Sequence, residues 1–207
     1  PARFVVWAEF CERFSYYGMR AVLALFLVEL GFSESGATVG VHLFIAGAYG
    51  APLLGAALSD AVCGRYVTIL FLSVVNLVGS SALALSAAAR SARLAFFGLV
   101  FMAVGTGGIK PCVAPFGADQ IDARAPGAAA STRRFFAVFY FTINCGALAS
   151  ALLTPYLRAA HGFALAFSVP PALMALAVVV LLAGRRHYRH VPPSDALARV
   201  ARAARAR

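Results

Sequence analysis

Residues 9–20 read EFCERFSYYGMR and place two glutamates and two arginines inside an otherwise apolar segment. This segment belongs to an apolar run, near residues 4–31, that is long enough for a helix to cross the hydrocarbon core of a membrane, which needs about 20 residues. A charged side chain at membrane depth costs at least about 3 kcal/mol. Four such side chains therefore require pairing with one another, contact with water or contact with a ligand.

The polar residues of this segment are predicted to share one side of a helix. At about 100° per residue, an arc of roughly 100° contains Glu9, Arg13, Tyr16, Tyr17 and Arg20, and Glu12 flanks it by about 40°. Glu9 and Arg13 have the i,i+4 spacing of a helical ion pair. We therefore expect a charged stripe that faces the interior of a helix bundle. A functional role is favoured over a purely structural one, because buried ion pairs stabilise a fold poorly compared with apolar packing.

The composition indicates a membrane protein. Hydrophobic residues make up 61% of the chain and charged residues 13%, and the mean hydropathy is +0.81. Soluble domains usually have about a quarter of their residues charged. The net charge of +10 does not indicate nucleic-acid binding, because the basic residues lie mostly in the breaks between apolar runs and in the tail.

Six transmembrane helices are predicted from the apolar runs, which gives an all-α membrane protein. The runs lie near residues 4–31, 37–60, 66–89, 92–118, 134–157 and 163–184 and form one bundle over 1–184. Residues 185–207 are predicted to be a cytoplasmic basic linker. Within it, Pro192 and Pro193 make a turn, and Ser194 or Asp195 caps an amphipathic helix that contacts anionic lipid. A solvated Arg/Ala helix is the alternative.

The distribution of basic residues predicts that both ends of the chain are cytoplasmic. One set of breaks and ends contains Arg3, Arg65, Arg124, Arg133, Arg134 and the arginines after residue 184. The opposite set contains only Arg90, Arg93 and Arg158. Arg13, Arg20 and Lys110 then remain within the membrane.

Other predicted helices offer polar partners for the stripe. His42 and Tyr49 are seven residues apart on the second helix and share a face. A histidine in this position is either a hydrogen-bonded core residue or a proton carrier, and both readings stay open. Lys110 lies between a glycine cluster and Pro111 in GTGGIKPCV. Tyr140 and Asn144 are i,i+4 neighbours on the fifth helix. We expect Glu9, Arg13, Tyr17 and Arg20 to face a central cavity, with Lys110, Tyr140 and Asn144 opposite.

This set of side chains indicates a proton-coupled carrier. A carboxylate beside an arginine can exchange its salt bridge for a proton. Arg20 and Lys110 can form charge-assisted hydrogen bonds with an anionic group of a substrate. The motifs H-E-x-x-H, G-x-S-x-G and the Walker loop are absent from the sequence, so neither an enzyme of these classes nor an ATP-driven pump is predicted. No metal and no cofactor is expected, and His187 and His190 lie among arginines, which disfavours a metal site.

Four sequence motifs resemble those of one transporter family. EFCERFSYYG (residues 9–18) resembles the E-x-x-E-R-F-x-Y-Y-G motif of the proton-coupled oligopeptide transporter family, a branch of the major facilitator superfamily. FYFTINCGA (139–147) is similar to the family's F-Y-x-x-I-N-x-G-[SA] signature. GAALSDAVCGRY (55–66) resembles the superfamily's loop between helices two and three, and GTGGIKPCV (105–113) resembles the family's fourth helix. His42 stands where the animal intestinal- and renal-type peptide transporters have a histidine.

The resemblance implies a fold, an activity and roles for individual residues. The fold would be a twelve-helix major facilitator superfamily fold of two six-helix bundles that moves by alternating access, and this chain would be its N-terminal bundle. The activity would be symport of di- and tripeptides with protons across the plasma membrane, driven by the proton gradient. Proton coupling would involve Glu9, Glu12, Arg13 and His42. Substrate binding would involve Tyr17, Arg20, Tyr49, Lys110, Tyr140 and Asn144.

Two departures and two alternatives accompany this interpretation. The second bundle is missing from the 207 residues, so the chain alone is not expected to transport. The loop from Asp119 to Arg134 is Ala-rich and longer than the resemblance implies. A family member that carries nitrate or another small substrate is one alternative function. A truncated membrane protein that does not transport, and that acts as a binding partner, is the other.

Overall fold

The computed structural model describes residues 1–191, and the regular structure in this part of the chain is helical. Within residues 1–191, seven α-helices follow one another. They are α1 Ala2–Glu29, α2 Glu34–Gly50, α3 Pro52–Leu58, α4 Gly64–Ala89, α5 Ala92–Asp119, α6 Ala128–Ala166 and α7 Val169–Gly184. A π-helical turn, Ser59–Cys63, connects α3 to α4, and a 3₁₀ turn, Arg185–His187, follows α7.

Within the part of the chain that the structure describes, four helical stretches are long and apolar enough to cross a membrane. They are Glu34–Ala89, which contains α2 to α4, Ala92–Asp119, Ala128–Ala166 and Val169–His187. Helix α1 is also long, with 28 residues, but it contains the four charged residues of the 9–20 stretch. The predicted class, an all-helical membrane protein, therefore agrees with the helices of the structure.

The continuous helix predicted over 37–60 is interrupted in the structure. Helix α2 ends at Gly50 and α3 begins at Pro52. Pro52 has no N–H group to donate to the preceding turn, so one hydrogen bond of the helical ladder is missing there, while the Ala51 and Gly55 N–H groups still bond to the Gly47 and Ala51 carbonyls. At the other end, Gly64 has φ +75°, a conformation that favours glycine. The break predicted around residues 60–66 is thus a π turn and one glycine rather than an open loop.

The helix predicted over 134–157 is longer at both ends. It begins at Ala128, directly after Gly127 at φ +81°, because the alanines that follow are strong helix formers. The range of α6 runs to Ala166, but its regular helix breaks at Gly162, where φ is +83° and ψ is 178°, within the break predicted between residues 157 and 163. The predicted polar loop from Asp119 to Arg134 is correspondingly shorter. After Gly162, residues 163–166 are again helical, and α7 follows from Val169.

Helix α5 lies in close backbone contact with three other helices. A Cβ atom at Gly105 would lie 2.6 Å from the backbone nitrogen of Asn76 on α4, and one at Gly107 would lie 2.5 Å from the Ala48 carbonyl oxygen on α2. A Cβ at Gly55 on α3 would overlap the Gly108 carbonyl. Small residues allow this close approach of helices in a membrane. The glycines of α5 therefore set its depth and rotation against α2, α3 and α4.

Helix α1 is packed along most of its length by α6 and α7. A Cβ at Gly18 would lie 2.5 Å from the Thr154 hydroxyl of α6, and one at Gly146 would lie 3.3 Å from the Arg13 Cβ. Farther along α1, Phe26 packs edge-on against Phe167 at 4.9 Å between ring centroids. This packing buries the charged part of α1 inside the bundle.

The chain folds back on the bundle after α7, over residues 185–191, which we name the clasp. The Tyr188 ring is buried and packs edge-on against Phe116 at 5.0 Å between ring centroids, and at a tilt against Tyr66 at 5.4 Å. Burial raises the pKa of the Tyr188 phenol. Gln120 accepts a hydrogen bond from the Arg189 backbone N–H at 2.9 Å and donates one to the Arg189 carbonyl at 3.2 Å. The amphipathic helix predicted after Pro192 lies outside the described residues.

Candidate functional site

Three charged side chains of α1 form a buried ion cluster. The Arg13 Nε atom lies 3.1 Å from Glu9 Oε1, and Arg13 Nη2 pairs with Glu12 Oε2. The exposed fractions are 6% for Glu9, 3% for Glu12 and 7% for Arg13. One guanidinium therefore joins two carboxylates, as the i,i+4 spacing predicts for Glu9. At this burial the pairing is needed, because an unpaired charge would be strongly destabilising.

A second helix contributes to the cluster through Thr106. The Thr106 hydroxyl of α5 donates a hydrogen bond to Glu12 Oε1, and its side chain is fully buried. Thr106 is not among the site residues predicted from the sequence. The available signal was its position one helical turn before Lys110, which places both on the same face of α5.

Aromatic rings extend the cluster toward the surface. The Arg13 guanidinium lies 5.7 Å from the Tyr16 ring centroid, and the Lys110 Nζ atom lies 5.1 Å from the same centroid. The Lys110 Nζ atom also lies 4.3 Å from the Tyr49 ring centroid. Tyr16 is 2% exposed and Tyr49 67% exposed. A continuous series of cation–π contacts thus runs from the buried carboxylates to an exposed face of α2. The sequence predicts Tyr16 on the stripe but assigns it no role.

The remaining residues of the α1 stripe lie nearer the surface. Tyr17 is half-buried and packs edge-on against Tyr16 at 5.1 Å between ring centroids. Arg20 is exposed. Glu9 and Arg13 are expected from the sequence to face an open central cavity. In the structure both are instead buried within the bundle. The stripe therefore has a buried half, with the ion cluster, and an accessible half that ends at Arg20.

His42 is not joined to the carboxylates. Its Nδ1 atom lies 2.7 Å from the Thr38 carbonyl oxygen of the same helix, and the side chain is exposed. Within residues 1–191, no ion pair joins His42 to Glu9 or Glu12. His42 is therefore neither part of the ion cluster nor a buried core residue.

Tyr140 and Asn144 lie on an exposed face of α6. The Asn144 side-chain amide donates a hydrogen bond to the Tyr140 carbonyl at 2.8 Å, and the Tyr140 ring stacks on Phe136 at 6.3 Å. In the part of the chain that the structure describes, no hydrogen bond joins either residue to Lys110. Within the described residues, the expected contact of Tyr140 and Asn144 with Lys110 of α5 is therefore not seen as a hydrogen bond.

A small cavity lies beside the two carboxylates. Its volume is about 10 Å³, and its lining includes Glu9, Glu12, Ser73 of α4 and two residues of α7, Ala177 and Leu181. This volume is close to the minimum for one water molecule. The carboxylates consequently have room for a water but not for a substrate on this side. Among residues 1–191, no group of three or more His, Cys, Asp and Glu side chains is arranged to hold a metal.

Comparison with known proteins identifies the family. A family model described as "POT family" (PTR2) matches residues 66–205. The chain belongs to the POT family. The resemblance inferred from the four motifs is thereby confirmed. Together with its apolar helices, membership makes the chain a multi-pass membrane protein.

Curated relatives of this POT family chain are considerably longer than it is. It is 43% identical over 203 residues to "Peptide transporter family 1" of Drosophila melanogaster, which covers 92% of this chain and 27% of the relative. It is 44% identical over 203 residues to "Solute carrier family 15 member 2" of Oryctolagus cuniculus, with the same coverage. The chain thus spans about a quarter of the length of these relatives. The first relative is named as a peptide transporter and the second as a solute carrier.

Solved structures of POT family transporters share the fold of the chain. The in meso crystal structure of the POT family transporter PepTSo has a TM-score of 0.86 and 38% identity, over 93% of this chain and 39% of that chain. A mutant of the peptide transporter POT in complex with alafosfalin has a TM-score of 0.81 and 28% identity, over 90% of this chain and 38% of that chain.

Proposed function

We propose that this chain is the N-terminal, six-helix part of a proton-coupled peptide transporter with a major facilitator superfamily fold. The observation that supports this most directly is the buried cluster of Glu9, Glu12 and Arg13 on α1, connected through Tyr16 to Lys110 on α5. A family member that carries nitrate or another small substrate is the alternative, and it would have the same cluster motif. The uptake experiment below distinguishes the two.

The lengths of the helical stretches support six crossings. The stretch Glu34–Ala89 has 56 residues, more than twice the roughly 20 that one crossing needs, and Gly64 interrupts it. It therefore supplies two crossings, one from α2 with α3 and one from α4. Helices α5, α6 and α7 supply one each. Helix α1 supplies the sixth, because its charges pair with one another inside the bundle rather than facing lipid.

The ion cluster suits proton coupling because its two carboxylates and one guanidinium are electrically balanced only when one carboxyl is protonated. With Glu9 and Glu12 both ionised, one guanidinium neutralises only one of two buried negative charges. Taking up one proton on a carboxyl leaves a neutral carboxyl and a compensated ion pair. A low-dielectric site favours that balance. His42, which is exposed on α2, is proposed as a second proton-linked group.

The accessible half of the stripe suits the carboxylate end of a peptide. Arg20 is exposed, and the Lys110 Nζ atom is held between two tyrosine rings without a bound carboxylate within residues 1–191. Both can form charge-assisted hydrogen bonds with a carboxylate. The proposed pocket is completed by Tyr17, Tyr49, Tyr140 and Asn144, and the names of the relatives support a peptide as the substrate.

The proposed cycle needs partners outside this chain. Alternating access requires a second bundle that moves against this one, and the exposed faces of α2 and α6 that present Tyr49 and Tyr140 would line the pathway between the two. The proton gradient would drive the cycle, and no cofactor is required. We propose the plasma membrane as the location, with both ends of this chain on the cytoplasmic side.

Uptake of a labelled dipeptide by the full-length protein tests the proposal. Accumulation should be higher at an external pH near 5.5 than near 7.5, and a protonophore should abolish it. Labelled nitrate, tested in parallel, should not accumulate. Nitrate accumulation without dipeptide accumulation would establish the alternative substrate. Accumulation of neither at either pH would contradict transport by this protein.

A further inference from the structure

The two carboxylates of the ion cluster have different surroundings. Each oxygen of Glu12 has its own partner, since Oε1 accepts the Thr106 hydroxyl and Oε2 pairs with Arg13 Nη2. Glu9 has one partner in the described residues, Arg13 Nε at 3.1 Å from its Oε1. A hydrogen bond donated to a carboxylate favours its ionised form. The two glutamates are therefore not equivalent, because a neutral hydrogen-bond donor favours the ionised form of Glu12 and none is seen at Glu9 within the described residues.

The Thr106 hydroxyl is held in place by the packing of α5. The glycines on either side of it, Gly105 and Gly107, are in close contact with the backbones of α4 and α2, at Asn76 and Ala48. Helix α5 cannot rotate or retract at this level without loss of both contacts. Thr106 itself is fully buried, so its hydroxyl is shielded from bulk solvent.

The charged and titratable groups around Glu12 come from two helices. On α1 they are Arg13 and Glu9, and on α5 the nearest is Lys110, one turn beyond Thr106 and in contact with Tyr16. Beside the carboxylates, α4 presents Ser73 and α7 presents only apolar side chains to the small cavity. Within the described residues, Thr106 is the only neutral side chain seen to donate a hydrogen bond to either glutamate.

We propose that Thr106 is a positioning residue that keeps Glu12 as the standing anionic partner of Arg13, so that Glu9 is the carboxyl that exchanges its salt bridge for a proton. This inference rests on the proposed proton-coupled function and assigns unequal roles within the cluster. When Glu9 takes up a proton, the Arg13–Glu12–Thr106 arrangement remains intact and the buried guanidinium stays compensated. Loss of the proton restores the second ion pair.

Two substitutions separate the hydroxyl of Thr106 from its bulk. Thr106→Val keeps the shape of the side chain and removes the donor, whereas Thr106→Ser keeps the donor. In Thr106→Val, Glu12 loses a charge-assisted partner and competes with Glu9 for the proton. The pH profile of dipeptide accumulation in the full-length protein should shift by about one pH unit toward higher pH. Thr106→Ser should retain the wild-type profile. Peptide counterflow should persist in both variants.

A titration of the purified full-length protein gives a second, transport-independent readout. The infrared absorption of protonated carboxyl groups should develop at higher pH in Thr106→Val than in the wild type or Thr106→Ser. In a Glu12→Gln background, Thr106→Val should cause no further change. If Thr106→Val is not recovered from membranes, the smaller Thr106→Ala, which also lacks the donor, takes its place with the same expectations.

The two readouts keep this inference distinct from the proposed function. A wild-type protein that does not accumulate dipeptide contradicts the function, while the infrared titration still tests Thr106. An unchanged titration in the variants without the hydroxyl would overturn the inference even if transport is normal. A shift in Thr106→Ser equal to that in Thr106→Val would also overturn it, because bulk rather than the hydroxyl would then be responsible.

Discussion

Lys110 on α5 holds its Nζ atom 4.3 Å from the centroid of the Tyr49 ring on α2. The same ammonium lies 5.1 Å from the buried Tyr16 ring, which in turn lies beneath the Arg13 guanidinium. One lysine therefore connects an exposed aromatic face with the buried ion cluster. This gives a physical route by which an anion bound at Lys110 would alter the electrostatic balance at Glu9 and Glu12.

Arg13→Ala should uncouple transport from the proton gradient. Without the guanidinium, both glutamates lose their bonded cation, and desolvation favours their protonated forms across the working pH range. Accumulation driven by pH should collapse, while peptide counterflow, which needs no net proton movement, should persist. Arg13→Lys retains the charge but not the planar fork that reaches both carboxylates. Its pH-driven accumulation should lie between that of the wild type and that of Arg13→Ala. Normal accumulation by Arg13→Ala would show that Arg13 is structural.

Arg20→Ala should weaken peptide binding rather than coupling. Arg20 is exposed at the accessible end of the stripe, and its loss removes a charge-assisted bond to the substrate carboxylate. The KM for dipeptide uptake should rise about tenfold, with the pH dependence retained. Arg93→Ala, at an exposed arginine near the start of α5, is the matched control and should have no effect. Equal changes in both variants would exclude a specific substrate contact.

Gly55→Ala should destabilise the bundle. An added Cβ would overlap the Gly108 backbone of α5, which cannot move as a flexible side chain would. Overpacking of this kind costs about 1–3 kcal/mol. Gly50→Ala is the control, because a Cβ there has no atom within 4 Å. The melting temperature in detergent should fall for Gly55→Ala only. A similar melting temperature for both variants would contradict the close contact of α3 with α5.

The clasp should loosen at alkaline pH through Tyr188. Burial raises the pKa of this phenol in the folded protein, so the folded state binds the phenolic proton more tightly than the unfolded state. Its stabilising contribution is therefore complete below the unfolded value of about 10 and is lost as the pH rises toward the folded value. Hydrogen exchange of residues 185–191 should accelerate above about pH 10.

Tyr188→Phe is the control for this effect, since it keeps the ring and has no phenolic proton. It should show the same protection below pH 10 as the wild type and no added pH dependence above it. Tyr188→Ala should remove the ring contacts with Phe116 and Tyr66 and expose the clasp at every pH. If Tyr188→Phe and the wild type lose protection together, a group other than Tyr188 is responsible.

Cys63 provides a test of the predicted orientation. It is exposed at the turn before α4 and is two residues from Arg65, which the charge distribution places on the cytoplasmic side. A membrane-impermeant maleimide should label Cys63 only after cells are permeabilised. A cysteine introduced at Arg93 should be labelled in intact cells. Labelling of Cys63 in intact cells would reverse the topology.

The periodic features of α1 could be predicted from local sequence. The ion pair between Glu9 and Arg13 follows from residues four apart on one helix, and the structure contains it. The helix ends were less accurate. Gly127 and Gly162, which determine where α6 begins and bends, lie in Ala-rich surroundings whose helical pattern extends without a clear boundary.

The contact of Thr106 with Glu12 had no local signal. The two residues are 94 positions apart, and threonine is common on apolar helices for reasons of packing. The expectation that Tyr140 and Asn144 lie opposite Lys110 rested on their shared helix face alone. In the structure these two residues are exposed on α6 and hydrogen-bond to one another.

Local sequence is enough to predict a helical, membrane-embedded chain with one charged stripe, and its motifs resemble those of the family that the comparison confirms. These properties depend on run length and on the 3.6-residue helical period, which act within one helix. Which side chains of different helices meet depends on the tertiary structure. There, the Thr106 hydroxyl donates to Glu12, and the Lys110 ammonium lies between the Tyr16 and Tyr49 rings. A helical period sets the direction of a side chain about its own axis, but the depth and rotation of α5 against its neighbours come from the close backbone contacts of its glycines.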